Sequence, residues 1–160
     1  MLFLNTVETS QITQDSGLRT QDSELRTQDS ELRTWLFTVP YSFTFNDHIA
    51  NPRNAGELPD ANATGEETNP ICGDRMRVSL RVSENRIVAA SFLAYGCPPT
   101  IVCGSVLTEL ISGRTTEEAK QLTRKDLLDA IGGLPSRKHH AAALAIETLH
   151  SALEQKISRG

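Results

Sequence analysis

Two stretches of this chain carry a clear pattern of hydrophobic and polar positions, and they differ in period. From Met76 to Val82 the pattern alternates. Met76, Val78, Leu80 and Val82 are apolar, and Arg77, Ser79 and Arg81 stand between them. Period-two alternation predicts a strand buried on one face. Ser83-Glu84-Asn85 reads as a hairpin turn, and Arg86 to Tyr95 as a second strand with Ile87, Val88, Phe92 and Leu93 as its apolar content. Beyond Gly96 the period changes. Pro98-Pro99 opens a helix, a place where proline is tolerated. Val102, Cys103, Val106, Leu107, Leu110 and Ile111 then form an apolar stripe at helical spacing. Gly113 stops that helix. Thr115 to Gln121 and Arg124 to Ile131 read as two shorter helices, Gly132-Gly133 breaks the chain, and a long helix runs from about Arg137 to Gln155. Its inward face carries Leu144, Ala145, Thr148, Leu149, Ala152 and Leu153.

Upstream, the folded part is expected to begin near Tyr41, and Phe43, Phe45, His48 and Ile49 predict a short helix ending before Pro52. Asn51 to Gly65, rich in Asn, Pro, Gly, Asp and Ala, reads as loop. Strands followed by helices imply an α+β fold, a small antiparallel β-sheet with helices packed on one face. The first 39 residues are different. Thr13–Arg19 reads TQDSGLR, and Thr20–Arg26 and Thr27–Arg33 both read TQDSELR. A seven-residue period suggests a coiled coil, but each repeat supplies one leucine where a coiled coil needs two apolar positions. Such a segment buries too little to offset the entropy of ordering it, so residues 1–39 are expected to be a disordered low-complexity repeat and 40–160 the folded domain.

Composition changes the picture in three ways. Only 38% of the 160 residues are hydrophobic and 5% aromatic, as expected if part of the chain stays out of the core. The formal net charge is −4 and no basic run exceeds Arg137-Lys138, so no nucleic-acid partner is expected. No stretch approaches the ~18 apolar residues of a membrane span, and Met1–Leu4 is too short for a secretory leader. Three cysteines, Cys72, Cys97 and Cys103, are an odd number for a disulfide framework. The expected compartment is the reducing cytoplasm, where cysteines more often serve metals or catalysis.

The candidate chemistry lies at the ends of elements. Cys72 and Asp74 precede the first clear strand, Cys97 lies between the second strand and its helix, and His140 opens the long helix. A hairpin returns Cys97 close to Cys72. Thiolate, imidazole and carboxylate suit a thiophilic metal such as zinc or iron. The plainer alternatives stand beside this: two free cysteines packed near turns, a turn aspartate bonding its own backbone, and a first-turn histidine without a metal. His139 points away from His140 by about 100° on a helix. His48 and His150 read as solvated or packing residues, and Cys103, within the apolar stripe, as core.

The sequence resembles the NifU/IscU iron–sulfur cluster scaffold family, in a form of its N-terminal domain that lacks the third cysteine. Tyr41 and Asp47-His48-Ile49-Ala50-Asn51-Pro52-Arg53-Asn54-Ala55-Gly56 are similar to the opening Y…DHYENPRNVG. Pro70-Ile71-Cys72-Gly73-Asp74 matches P-x-C-G-D, and Phe92 to Cys97 matches F-x-x-x-G-C. Leu134-Pro135-Ser136-Arg137-Lys138-His139-His140 resembles L-P-P-V-K-x-H. The family's third cysteine falls at Ala141, and Ser136-Arg137 replaces Pro-Val in the chaperone-recognition segment.

The resemblance implies a non-enzymatic scaffold that assembles and transfers iron–sulfur clusters, with Cys72, Asp74, Cys97 and His140 holding a [2Fe–2S] cluster or iron, or zinc. It implies as partners a cysteine desulfurase as sulfur donor, an Hsp70-type chaperone reached through Leu134 to Lys138, and apo iron–sulfur proteins as recipients. The missing third thiol keeps a second reading open, a degenerate zinc-binding or desulfurase-interacting regulatory module that builds no clusters. A zinc hydrolase is disfavoured, since the chain has no HExxH motif.

Overall fold

The computed structural model describes residues 41–159; the repeat expected over residues 1–39 lies outside them. Helix α1 (Phe43–Ala50) is followed by strands β1 (Ala63–Thr68), β2 (Arg75–Ser83) and β3 (Arg86–Tyr95). Helices α2 (Pro98–Ile111), α3 (Thr116–Lys120) and α4 (Arg124–Ile131) come next. A 3₁₀ turn (Ser136–Lys138) then leads into the long helix α5 (His139–Arg159). The strands form an antiparallel sheet in the order β1-β2-β3.

The alternation in β2 is realised strictly. Met76, Val78 and Leu80 are completely buried and Val82 nearly so, while Arg75, Arg77 and Arg81 are exposed. Full burial contributes about 1.5–3 kcal/mol for each such side chain. The β2–β3 connection is a two-residue turn in which Glu84 and Asn85 both take positive φ (49° and 64°), the backbone twist that two-residue hairpins favour. Helix α5 packs on β1 and β2, and α2 packs on β3, so the helices share one face of the sheet. The predicted stripes are the observed ones except at Leu110, which is half-buried. Val102, Cys103, Val106, Leu107 and Ile111 of α2 are buried, as are all six residues assigned to the inward face of α5.

Two boundaries differ from the sequence reading. The loop assigned to residues 51–65 gives way at Ala63 to strand β1, which pairs with β2 from Ala63↔Leu80 to Thr68↔Arg75. Its inward positions, Ala63 and Gly65, are small because the strand lies flush against α5. A Cβ on Gly65 would come within 2.4 Å of the Ala152 nitrogen and the Thr148 carbonyl oxygen. The long helix begins at His139 rather than Arg137, after the 3₁₀ turn.

Helix ends are fixed by the residues placed there. Ser42 caps α1 by accepting from the Phe45 amide at 3.0 Å. Thr115–Glu118 and Thr123–Asp126 form capping boxes on α3 and α4, and Gly132 ends α4 in the left-handed region. Among the described residues, no helix is long and apolar enough to cross a membrane.

Candidate metal centre

The β2–β3 hairpin decides where the site lies. Register pairs Arg75 with Tyr95, so the residues just outside that pair, Asp74 on one side and Gly96-Cys97 on the other, meet at the end away from the turn. The loop before β2 is held by Asn69. Its side chain accepts from the Ile71 amide at 2.8 Å, its carbonyl from the Gly73 amide at 2.8 Å, and its amide donates to the Asp74 carbonyl at 2.7 Å. Gly73 takes φ +76°, a left-handed conformation that side chains resist. This glycine lets the chain present Cys72 outward and Asp74 inward within three residues: Cys72 is exposed and Asp74 is buried.

The Asp74 side chain reaches across to the start of α2. Its Oδ2 accepts from the Thr100 hydroxyl at 2.6 Å, the Cys97 thiol at 3.0 Å and the Cys97 amide at 3.4 Å. Burial pushes the carboxyl up. The donors from Thr100, Cys97 and Cys72 more than offset that and hold it below the usual carboxylate range. Gly96 permits the approach, because a Cβ there would stand 2.4 Å from Asp74 Cγ. Cys97 is the N-cap residue of α2, with Pro98 as the first helical residue.

The third component arrives from far along the chain. The start of α5 brings His140 to the hairpin end, where one ligand atom each from Cys72, Asp74 and His140 lie within 4.8 Å of one another. Cys97 is outside that triplet but touches its aspartate. The His140 Nε2 is buried and has no hydrogen-bond partner among the described residues. A buried imidazole nitrogen is ordinarily paired; this one is not, and its ring stands beside a thiol and a carboxylate with which it makes a donor set, S, O and N, that suits zinc or iron.

The other singled-out residues fall elsewhere. His139 Nε2 meets the Leu134 carbonyl at 2.9 Å and His150 Nε2 the Lys120 carbonyl at 3.2 Å. Cys103 is completely buried, and burial pushes its thiol far up. Ala141, where the resemblance places a third thiol, is also completely buried. His48 is a packing residue with a full set of partners. Its Nδ1 lies 2.7 Å from Ser105 Oγ and its Nε2 3.4 Å from Glu109. Sequence reasoning missed Thr100, which is completely buried and touches both Asp74 and Cys97 (Oγ1 to Sγ 3.4 Å). The signal was present: a threonine at the third position of a helix whose cap is a candidate ligand has its hydroxyl within reach of the cap.

Comparison with known proteins gives a consistent result. Residues 40–159 match the model of the NifU-like N terminal domain. The chain is 42% identical over 113 residues to the iron–sulfur cluster assembly scaffold protein IscU 1 of Archaeoglobus fulgidus, covering 71% of this chain and 74% of that protein. It is 40% identical over 124 residues to the IscU scaffold of Aquifex aeolicus, covering 74% and 79%. Among solved structures, the N-terminal NifU-like protein of Brucella abortus shares the fold with a TM-score of 0.61 at 14% identity, covering 74% and 95% of the two chains.

Proposed function

This chain belongs to the NifU-like N-terminal domain family, and from that membership we propose that it is a scaffold on which iron–sulfur clusters are assembled and passed on, with Cys72, Asp74, Cys97 and His140 holding the cargo. The observation that carries the assignment of residues is the bare, buried Nε2 of His140 beside Cys72 and Asp74. A [2Fe–2S] cluster takes two protein ligands per iron, four in all, and these residues supply four without a third cysteine. Two are thiolates when loaded, one is a neutral imidazole, and one is a carboxylate.

That composition bears on release. A carboxylate is a harder and weaker partner for such iron than a thiolate. The four residues therefore grip the cargo less firmly than four thiolates would, as a protein that gives its cargo away requires. Cys72, exposed on its loop, is the thiol most open to a donor or recipient. A cysteine desulfurase would supply the sulfur and apo iron–sulfur proteins would receive the cluster. The segment from Leu134 to Lys138 runs directly into the helix whose second residue is His140, so an Hsp70-type chaperone grasping it would pull on a ligand.

The test is anaerobic reconstitution with iron, sulfide and a desulfurase, followed by visible spectroscopy and metal analysis. The scaffold reading expects a cluster chromophore with iron and sulfide in equal amounts. Retention of zinc alone, with no chromophore under any loading condition, would overturn it. One observation favours the second reading, a zinc-binding or desulfurase-interacting regulatory module: the position of the third thiol is Ala141, sealed in the core. That module would keep zinc in the same reconstitution.

A further inference from the structure

We propose that Thr100 is a positioning residue for the cargo site, its buried hydroxyl occupying Asp74 Oδ2 so that the carboxylate offers the cargo a single oxygen and lets it go readily. The proposal rests on the scaffold reading above and deepens it. Thr100 is the third residue of α2 and is completely buried. At 2.6 Å, its contact with Oδ2 is the shortest of the three made to that oxygen. A carboxylate oxygen has two lone pairs, so three donors saturate Oδ2. On its other side the carboxylate abuts Gly96, whose backbone leaves no space for even one more carbon. Asp74 is thus held from both sides, Oδ2 by its three donors and Oδ1 against the Gly96 backbone, where a Cβ would stand 2.5 Å away; Oδ1, free of those three donors, is the oxygen left to offer.

Loading sharpens the role of the hydroxyl. Cys97 must give up its thiol proton to become a ligand. One of the three donors to Oδ2 then disappears, and a thiolate and a carboxylate are left as neighbours. Thr100 Oγ1 touches both groups, at 2.6 Å and 3.4 Å. A hydroxyl has one proton to give. Donated to Oδ2, it draws charge from the carboxylate and weakens it as a ligand. A carboxylate relieved of that donor can bind a metal through one oxygen or two. Without the hydroxyl, Asp74 holds the cargo harder, while Gly96 and the Cys97 amide still keep it in place.

The test compares Thr100→Val, which keeps the shape and removes the hydroxyl, with Thr100→Ser, which keeps the hydroxyl. The full chain is loaded with Co²⁺ alone and, separately, reconstituted with iron and sulfide. Loss of the absorption bands is then followed after addition of excess chelator. Thr100→Val is expected to release about threefold to tenfold more slowly than the parent, up to about the fold-change that one weak hydrogen bond to a charged group is worth and opposite in sign to the loss that follows when a partner merely orients a ligand; Thr100→Ser is expected to match the parent. Should Thr100→Val fail to fold, Thr100→Ala carries the same expectation. A purely structural threonine would lower the melting temperature of the metal-free protein and speed release. Release at or above the parent rate in the folded variant, equal behaviour of Val and Ser, or a parent that takes up no Co²⁺ would each overturn the inference. A parent that binds Co²⁺ but never forms a cluster defeats the scaffold reading instead, and the Co²⁺ release rates still decide the role of Thr100.

Discussion

His48 and His140 both turn ring nitrogens into the domain, and they differ in what those nitrogens find. At His48 the Ser105 hydroxyl accepts from the Arg53 amide at 2.7 Å and shares a hydrogen bond with Nδ1 at 2.7 Å, while Nε2 lies 3.4 Å from Glu109. Arg53 in turn pairs with Asp47 at 2.6 Å. The imidazole closes a circuit that straps α1 and the following loop to α2. At His140, Nε2 is buried and meets nothing it can bond among the described residues. A structural histidine has its needs met by the polypeptide, whereas one left unmet beside a thiol and a carboxylate is built for something brought from outside.

That contrast can be broken by exchanging the losses. His140→Ala should reduce retained metal the most, by at least the ~10–100-fold that loss of an outer-shell partner costs, with little change in metal-free melting temperature. Metal analysis after gel filtration checks it, and full metal content would move His140 into the structural class. His48→Ala should do the reverse. Leaving Ser105 and Glu109 without their partner should cost about 1–3 kcal/mol of stability, read by denaturant unfolding, while metal content per folded chain stays at the parent level. A coupled loss of metal would show that the strap also shapes the site.

The cysteines extend the comparison. Cys103 is the His48 of the thiols, completely buried in the core. Cys103→Ser should destabilise by ~1–3 kcal/mol if the hydroxyl finds no partner, with metal stoichiometry intact. Preserved stability with metal lost would make Cys103 a ligand.

The smallest effect is a pH dependence. Burial, then the Arg53 charge, holds His48 below the ordinary 6.5, although Glu109 and Asp47 pull the other way. Glu109 is half exposed, and solvent weakens its attraction, so burial prevails. The unfolded chain then binds the proton more readily than the native one. This contribution to stability is fully present above pH 6.5 and is lost as pH falls from there toward the depressed native value. Metal-free melting temperature should fall across that window, at under about 1.4 kcal/mol per unit, and His48→Gln should flatten the slope. An unchanged slope in the variant would assign the dependence to another group.

How much of this was legible in the chain depends on what each residue signals alone. β2 announces itself because its inward positions are large and apolar. β1 does not, because an element pressed against a helix backbone needs small residues, and Ala63 and Gly65 look like loop. Cys72, Asp74, Cys97 and His140 were visible as chemistry at element ends. Their arrangement was not: that Cys97 bonds Asp74 and stands outside the 4.8 Å triplet depends on register and side-chain rotation. Thr100 drew no notice in the sequence, because its importance lies in the neighbours it touches rather than in its own type.

The contact at Gly65 has a mechanical consequence. A helix ordinarily meets a sheet through side chains, whose rotamers yield to small displacements as a cushion yields. Where β1 meets α5, main chain rests on main chain, and no compliant layer lies between them. The helix cannot roll or slide without carrying the strand, and the strand is hydrogen-bonded to the β2 that begins beside Asp74. His140 lies roughly two to three turns from that bearing point, at the end of a stiff lever whose fulcrum is a single missing methyl group. The spacing between histidine and aspartate is thus gauged by the skeleton of the fold, at a distance from the residues that use it.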